Sequence, residues 1–314
     1  MSIGDIVAAH RSDTPPGPMS VLADISSAFL TRPPDHRAEG WHPSQLMDMC
    51  PRAEILRQLL PNTEGSVEKI DCRTQLIFDV GTALHSWWQE QYFGPMGVLK
   101  GNWKCARCGY TTSMTTMPMR EHQCGSTCAD GSVVLSTRPN EARVGSNQFW
   151  KFAEVPVTSK EWGVVGHSDG IYLLRGPTGT IEVVLEIKTA GATFWERGGF
   201  PYPANIFQLN IYMWLTGKKK GVLLYIDKGG VKKDLPMMSK EIFVDYNDSA
   251  RRDACMKIEL YRDAVDKQRL PSRMAMCELK PRSAKPLSCP FSKVCLSDAR
   301  SGDVEKSWGS VKMR

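Results

Sequence analysis

Residues 163–174, Gly-Val-Val-Gly-His-Ser-Asp-Gly-Ile-Tyr-Leu-Leu, and 180–190, Thr-Ile-Glu-Val-Val-Leu-Glu-Ile-Lys-Thr-Ala, are β-rich runs divided by the turn Arg-Gly-Pro-Thr-Gly. That pattern predicts a β-hairpin. Side chains alternate along a strand, so Val183, Leu185 and Ile187 share one face while Glu186 and Lys188 leave from the other. Asp169 sits on the preceding strand, where pairing across the turn would set it beside Glu186. Two converging carboxylates repel each other unless a cation stands between them, and hard oxygen donors suit Mg²⁺ or Mn²⁺. A lysine two residues on could then orient or deprotonate an attacking water. Taken alone, Glu-x-Lys describes an amphipathic strand with a surface ion pair just as well.

Further elements extend on both sides. Before the hairpin, Ser44 is an N-cap residue type, Pro51 restarts a helix, and residues 79–93 predict another with Val80, Leu84 and Trp87 along one face. Residues 151–159 are β-like but contain Pro156, which assigns them to an edge or a strand end. After the hairpin come a helix over 205–217 ending at Gly217, strands at 221–226 and 240–246, and a helix over 249–269. On that last helix Cys255, Ile258, Tyr261 and Val265 share a face, so Cys255 reads as core. Alternating strands and helices predict an α/β protein with a mixed central sheet flanked by helices. Residues 1–40, rich in Pro and small polar residues, read as a flexible arm with one short helix over 19–31, and residues 301–314 as a tail.

Composition narrows the class. With 41% apolar and 24% charged residues among 314, the chain is close to the globular average, which excludes a chain disordered throughout. No apolar run approaches the roughly 20 residues of a membrane helix, and no signal sequence is visible, so a cytoplasmic protein without membrane contact is expected. The net charge of +6 is unevenly spread: residues 217–314 hold 22 basic and 13 acidic side chains, against 18 and 21 in residues 1–216. This points mildly to a polyanionic partner, although a solvated lysine-rich face explains it equally.

Ten cysteines are many for a reducing compartment, and close pairs there point to metal rather than disulfides. Cys105 and Cys108, with Gly109 following, form a zinc-knuckle pattern, and Cys124 and Cys128 supply a second pair for a tetrahedral Zn²⁺ site. Residues 101–130 show no periodicity and are expected to be a zinc-ribbon-like insertion that needs metal to fold. Cys50 near one end, with Cys277, Cys289 and Cys295 near the other, could form a further thiolate set.

In order, Gly81-x-x-x-His85, Gly166-x-x-Asp169, Glu186-x-Lys188 and Gln208-x-x-x-Tyr212 resemble the RecB-type exonuclease branch of the PD-(D/E)XK nuclease superfamily over residues 41–300. The resemblance implies a restriction-endonuclease-like fold. It also implies that His85, Asp169, Glu186 and the Ile187 carbonyl hold Mg²⁺ or Mn²⁺, and that Asp169, Glu186, Lys188, Gln208 and Tyr212 form the catalytic group. Glu154 would stand behind them, or be an exposed edge carboxylate. Cys50 before Pro51-Arg52 resembles the opening of the family's iron–sulfur subset, which includes CRISPR-associated adaptation nucleases and AddB-type subunits. Cys50, Cys277, Cys289 and Cys295 would then hold a 4Fe–4S cluster; the usual Cys-x-x-Cys before the last pair is missing, and zinc fits the ligand count equally.

The function so implied is a metal-dependent DNA nuclease, a phosphodiester hydrolase acting as an exonuclease at DNA ends or in single strands. Its setting would be recombination or repair, with a helicase or recombination protein as possible partner. The competing readings are a non-catalytic DNA-binding or scaffolding protein on the same fold, and an endonuclease. Trp195, Phe200 and Tyr202 could stack on unpaired bases, or could pack their loop against the sheet.

Overall fold

Local chain chemistry sets the helices. Pro43 and Pro51 stand at first helical positions, where a missing N–H costs nothing, and open α1 (Pro43–Leu46) and α2 (Pro51–Leu59). Helix α3 (Cys72–Trp88) runs into a π-helical turn, Gln89–Phe93. It begins earlier than the sequence pattern indicates. Strands β1 (Leu99–Cys105), β2 (Thr111–Thr116), β3 (Arg120–His122), β4 (Leu135–Pro139), β5 (Trp150–Ala153), β6 (Val155–Ser159), β7 (Val164–Ser168), β8 (Ile171–Gly176) and β9 (Gly179–Ala190) follow. Helix α4 (Pro203–Thr216) starts on a proline and stops at Gly217, whose φ of 70° is left-handed. After it come β10 (Lys220–Asp227), β11 (Ser239–Asp245), α5 (Ser249–Asp266), α6 (Ala275–Leu279) and α7 (Ser292–Leu296). This computed structural model describes residues 39–60, 72–106, 108–118, 120–122, 135–139, 150–177, 179–191, 195, 199–228, 239–279 and 289–296. The arm before residue 39, the tail and the expected helix over 19–31 lie outside these residues. Among those described, no helix is long and apolar enough to cross a membrane.

The expected hairpin is β8–β9, antiparallel from Ile171↔Val184 to Gly176↔Gly179. It lies inside a seven-stranded mixed sheet of order β11-β10-β9-β8-β1-β2, with β5 also on β1. Strand β10 runs parallel to β9, so α4 is the crossover between them. Strand β9 is covered on both faces. Val183, Leu185 and Ile187 join Trp103 and Trp150 in one cluster, while Val184 meets Leu209, Tyr212 and Met213 of α4 in another. A third cluster joins α1, α2 and α5 through Leu46, Ile55, Leu56, Ile258 and Tyr261. Cys255 is buried in α5.

Two features depart from the sequence reading. The run over 163–174 is not one strand: β7 pairs with β6 in a separate two-stranded sheet, and β8 belongs to the main one. The switch falls on Asp169 and Gly170. Gly170 has φ 127°, and a Cβ there would lie 2.6 Å from Leu99 Cδ1 and 3.1 Å from the Lys100 carbonyl oxygen. Residues 101–116, read as the start of an insertion, extend the central sheet instead. Their period-2 pattern is present: Leu99, Gly101, Trp103 and Cys105 are buried, whereas Lys100, Asn102 and Lys104 point outward. Polar and glycine residues on a half-buried strand hide that alternation from a search for apolar runs. Residues 123–130 lie outside the described residues.

Gly170→Ala should combine left-handed strain with overlap against Leu99. The expected loss is about 3 kcal/mol of stability, read as a lowered Tm and urea midpoint. Wild-type stability in that variant would show that the strand switch does not need glycine.

Candidate active site

Helix α3 and three strands bring the motif residues together. Where β7 gives way to β8, the chain turns off the ladder and leaves the Ile187 amide without a backbone acceptor on that side. The side chain of Asp169 takes the place: its Oδ2 accepts the Ile187 N–H at 2.7 Å. Its Oδ1 faces His85 Nδ1 at 3.3 Å. Gln89 Nε2 donates to the Asp169 carbonyl oxygen at 2.9 Å, which holds the residue from its main chain as well. Glu186 and Lys188 emerge together, with Lys188 Nζ 2.6 Å from Glu186 Oε1. Lys188 also donates to Gln208 Oε1 at 2.9 Å, and Gln208 Nε2 donates to the Tyr212 hydroxyl at 3.1 Å. The four-residue spacing puts Gln208 and Tyr212 on one face of α4, turned to the sheet.

These groups are withdrawn from water: Asp169 is 5% exposed and Glu186 3%. Burial pushes the Glu186 carboxyl well above its usual range; Lys188 pulls it down, the Asp169 charge pushes it further up, and His85 pulls it down. Burial alone would lower His85, but its hydrogen bond to Asp169 and the charges of Asp169 and Glu186 raise it overall. Lys188 behaves alike: desolvation lowers it, and Glu186 more than offsets that. Tyr212 is pushed far up, by burial first and then by the Glu186 charge, so it stays a neutral hydroxyl. Glu154, at the break between β5 and β6, feels the same field: partial burial and then Asp169 raise its carboxyl.

The set is two carboxylates and an imidazole beside the peptide carbonyl of Ile187, donors that suit a hard divalent cation. Among the described residues, no group of three or more His, Cys, Asp or Glu is arranged to hold a metal ion as it stands. Here His85 is turned onto Asp169 and Lys188 onto Glu186, so a basic side chain faces one oxygen of each carboxylate. A cation between the carboxylates would relieve the same unfavourable burial of negative charge that raises Glu186, and in that sense the residues fit one.

The cysteines divide. Burial raises the Cys50 thiol; the amides of Ala53 and Arg52 work against that, and nearby Cys295 and Cys277 raise it further. Three of the four cysteines from the two chain ends are therefore neighbours, and Cys289 and Cys295 pack against the same helical core. In the other set, Cys105 is buried at the end of β1 and Cys108 is exposed. Gly109 has φ 78° and donates its N–H to the Cys105 carbonyl. Cys124 and Cys128 lie outside the described residues.

The sequence reading missed Gln89 and Glu90, both buried on the π-helical turn after His85. Glu90 holds Lys151 at 2.8 Å and the Phe152 amide at 3.2 Å, tying that turn to β5. A Gln-Glu pair inside Trp-Trp-Gln-Glu-Gln-Tyr-Phe was the available signal, and π-helical turns recur at functional sites. Trp195, Phe200 and Tyr202 interlock with core residue Tyr225, with Phe200 and Tyr225 centroids 4.5 Å apart. These three side chains pack against the sheet's core cluster.

No family model matches the chain, and no curated protein matches it. Among solved structures, the chain is similar to SSO0001 at 16% identity and TM-score 0.39, over 88% of this chain and 96% of that one. It is also similar to an alkaline exonuclease, LHK-Exo, from Laribacter hongkongensis, at 14% identity and TM-score 0.38, over 84% of this chain and 98% of that one. A second structure of LHK-Exo, in complex with dAMP, matches to the same degree.

The raised His85 makes a pH prediction that needs no metal. A group whose folded pKa lies above its unfolded value stabilises fully below the unfolded value and stops doing so as pH rises through the folded one. In chelator, wild type should exceed His85→Gln in Tm below the ordinary histidine value of about 6.5, with the gap closing as pH rises through the raised value in the folded protein. A gap that widens with pH would reverse the sign of the His85–Asp169 interaction.

Proposed function

We propose that this protein is a metal-dependent deoxyribonuclease of the PD-(D/E)XK type, acting as an exonuclease at DNA ends or in single strands. One observation carries the reading: Asp169, Glu186 and Lys188 are gathered in a buried group with His85, although two buried carboxylates are unfavourable for folding alone. His85, Asp169, Glu186 and the Ile187 carbonyl would hold Mg²⁺ or Mn²⁺, which when bound acidifies water and offsets charge on the phosphate.

The protein's own part is positional and electrostatic. Asp169 is fixed by the Ile187 amide and by Gln89, so its other oxygen, which faces His85, has one direction. The Lys188 ammonium is held between Glu186 and Gln208, where it can orient the attacking water and stabilise negative charge on the phosphate. Gln208 is itself fixed by the neutral Tyr212 hydroxyl. Cleavage adds water across a P–O bond: the hydroxyl bonds to phosphorus, and the leaving sugar oxygen takes a proton.

The cysteines from the two ends, Cys50, Cys277, Cys289 and Cys295, would hold a 4Fe–4S cluster. Cys105 and Cys108 would hold structural Zn²⁺ with Cys124 and Cys128.

Labelled linear DNA with Mg²⁺ or Mn²⁺ should be shortened from its ends, with Mn²⁺ at least as effective because an imidazole donor suits it better. Closed circular DNA should survive. Lys188→Ala and Glu186→Ala should each lose at least about a hundredfold in rate while still unfolding cooperatively. Full activity in either purified variant sinks the assignment, and DNA binding without cleavage by the wild type supports a scaffolding protein instead. Protein purified without oxygen should be brown, and Cys289→Ser should remove the colour; a colourless, stable protein containing only zinc excludes the iron–sulfur cluster.

A further inference from the structure

Helix α3 carries His85, yet much of its apolar surface is uncovered. Leu76, Ile77, Phe78, Val80 and Trp87 are all exposed, and Phe78 is 52% so. The face with Val80, Leu84 and Trp87, expected from the sequence to be one side of the helix, is therefore largely in solvent. Phe78 differs from the others in direction. It precedes His85 by seven residues, two turns, so the two side chains leave the helix within about 20° of each other and about 10 Å apart along its axis. Gly81 lies between them on the side turned to the sheet: a Cβ there would meet Thr189 Oγ1 at 3.3 Å and Lys228 Nζ at 3.7 Å. Helix α3 thus rests over the carboxyl ends of β9 and β10, with Phe78 on the rim in line with the candidate active site.

Lys228 provides the second observation. It follows β10 at the strand's carboxyl end, its amide bonded to the Ala190 carbonyl at the end of β9. Its ammonium reaches the carbonyl oxygen of Ile77, the residue beside Phe78, at 3.2 Å. A cation is therefore tied to the main chain next to an exposed aromatic residue, two turns of helix from His85. Phosphate needs the first, and an unstacked base needs the second. A duplex offers phosphates but no free base face, so the pair suits an unpaired strand.

We infer that Phe78 and Lys228 form a track for unpaired DNA leading to the active site, Phe78 stacking on a base and Lys228 contacting its phosphate. The inference rests on the nuclease reading and names its substrate as an unpaired strand. At 3.4 Å per stacked step, the 10 Å offset puts the stacked base about three nucleotides from the one being cleaved. Lys228 brings a positive charge to this rim, and Phe78 leaves α3 on nearly the same side as His85, which is why the occupant is substrate and not a second protein.

The test uses the full chain with Ca²⁺ in place of a catalytic metal, and reads fluorescence anisotropy of a short labelled oligothymidylate and of a blunt hairpin duplex. Phe78→Leu keeps an apolar side chain but removes the ring; it should weaken oligothymidylate binding about tenfold and leave the hairpin unchanged. Phe78→Trp should restore wild-type affinity, a rescue that a packing role would not produce at a half-exposed position. Lys228→Met should lower the salt dependence of oligothymidylate binding by about one counterion. Wild-type affinity in Phe78→Leu, or equal losses on both DNAs, overturns the track while leaving the nuclease intact. Wild-type protein that binds neither DNA overturns the nuclease reading and the track with it.

Discussion

The Asp169 carboxylate sits in the hydrogen-bonding ladder of the central sheet, and the site is arranged around that substitution. At the start of β8, the Leu185 amide reaches the Gly170 carbonyl at 2.9 Å, an ordinary main-chain bond between the strands. Two residues on, the Ile187 amide would need the next carbonyl, but the chain has already departed into β7. A buried amide without a partner costs about 1–3 kcal/mol, and the Asp169 side chain removes that cost at 2.7 Å. The same bond fixes the carboxylate's orientation. Gly170 lets the chain turn, Asp169 closes the ladder, and the strands part where Glu186 and Lys188 emerge. The site exists because the hairpin ends there.

Charge then becomes the dominant constraint. Glu186 is nearly inaccessible, and its raised pKa reports that burial disfavours the carboxylate more than Lys188 and His85 can offset. A fold selected for stability alone would place leucine or valine there, since buried ion pairs are often replaceable by apolar side chains without loss. The rest of the network limits the cost. Gln208 satisfies Lys188 from α4, Tyr212 satisfies Gln208, and Gln89 satisfies the Asp169 main chain. The links come from two elements, Gln208 and Tyr212 from α4 and Gln89 from the π-helical turn, so the site depends on both being in register.

The parts legible in the sequence were those carried by short-range periodicity. The β8–β9 hairpin, the alternation along β9 and the ends of α4 follow from side-chain spacing, a Gly-Pro turn and a terminal glycine. The strand switch at Asp169 did not, because Val164 to Leu174 reads as continuous β character and only the pairing partners change. The place of β1 in the central sheet was hidden for a related reason: Gly101 is buried by contact with Phe152, not by any side chain of its own. Gln89 and Glu90 were passed over because their partners, Asp169 and Lys151, are at least sixty residues away. The loop aromatics Trp195, Phe200 and Tyr202 had two roles open, and only the position of Tyr225 in the fold distinguishes them.

The same distinction bears on how α2 and the segment around α7 are held together. Phe291 is fully buried in the helical core beside Ile55 and Leu56, and Arg57 lies over its ring. Arg52 reaches the Pro271 carbonyl at 2.8 Å, and Arg273 reaches that of Cys295 at 2.7 Å. These contacts already close a loop of more than two hundred residues, so a centre held by Cys50 and the late cysteines would reinforce an existing closure. Since the closing entropy grows only with the logarithm of loop length, apolar packing with a few charged hydrogen bonds can meet it. The cysteines at the end of β1 are in a different position: Cys105 is buried in the sheet and Cys108 is exposed, so a metal held there would bind at the sheet's margin. Were zinc held there, its removal would act locally at the end of β1 and leave the packing of Phe291 on α2, and the candidate active site, in place.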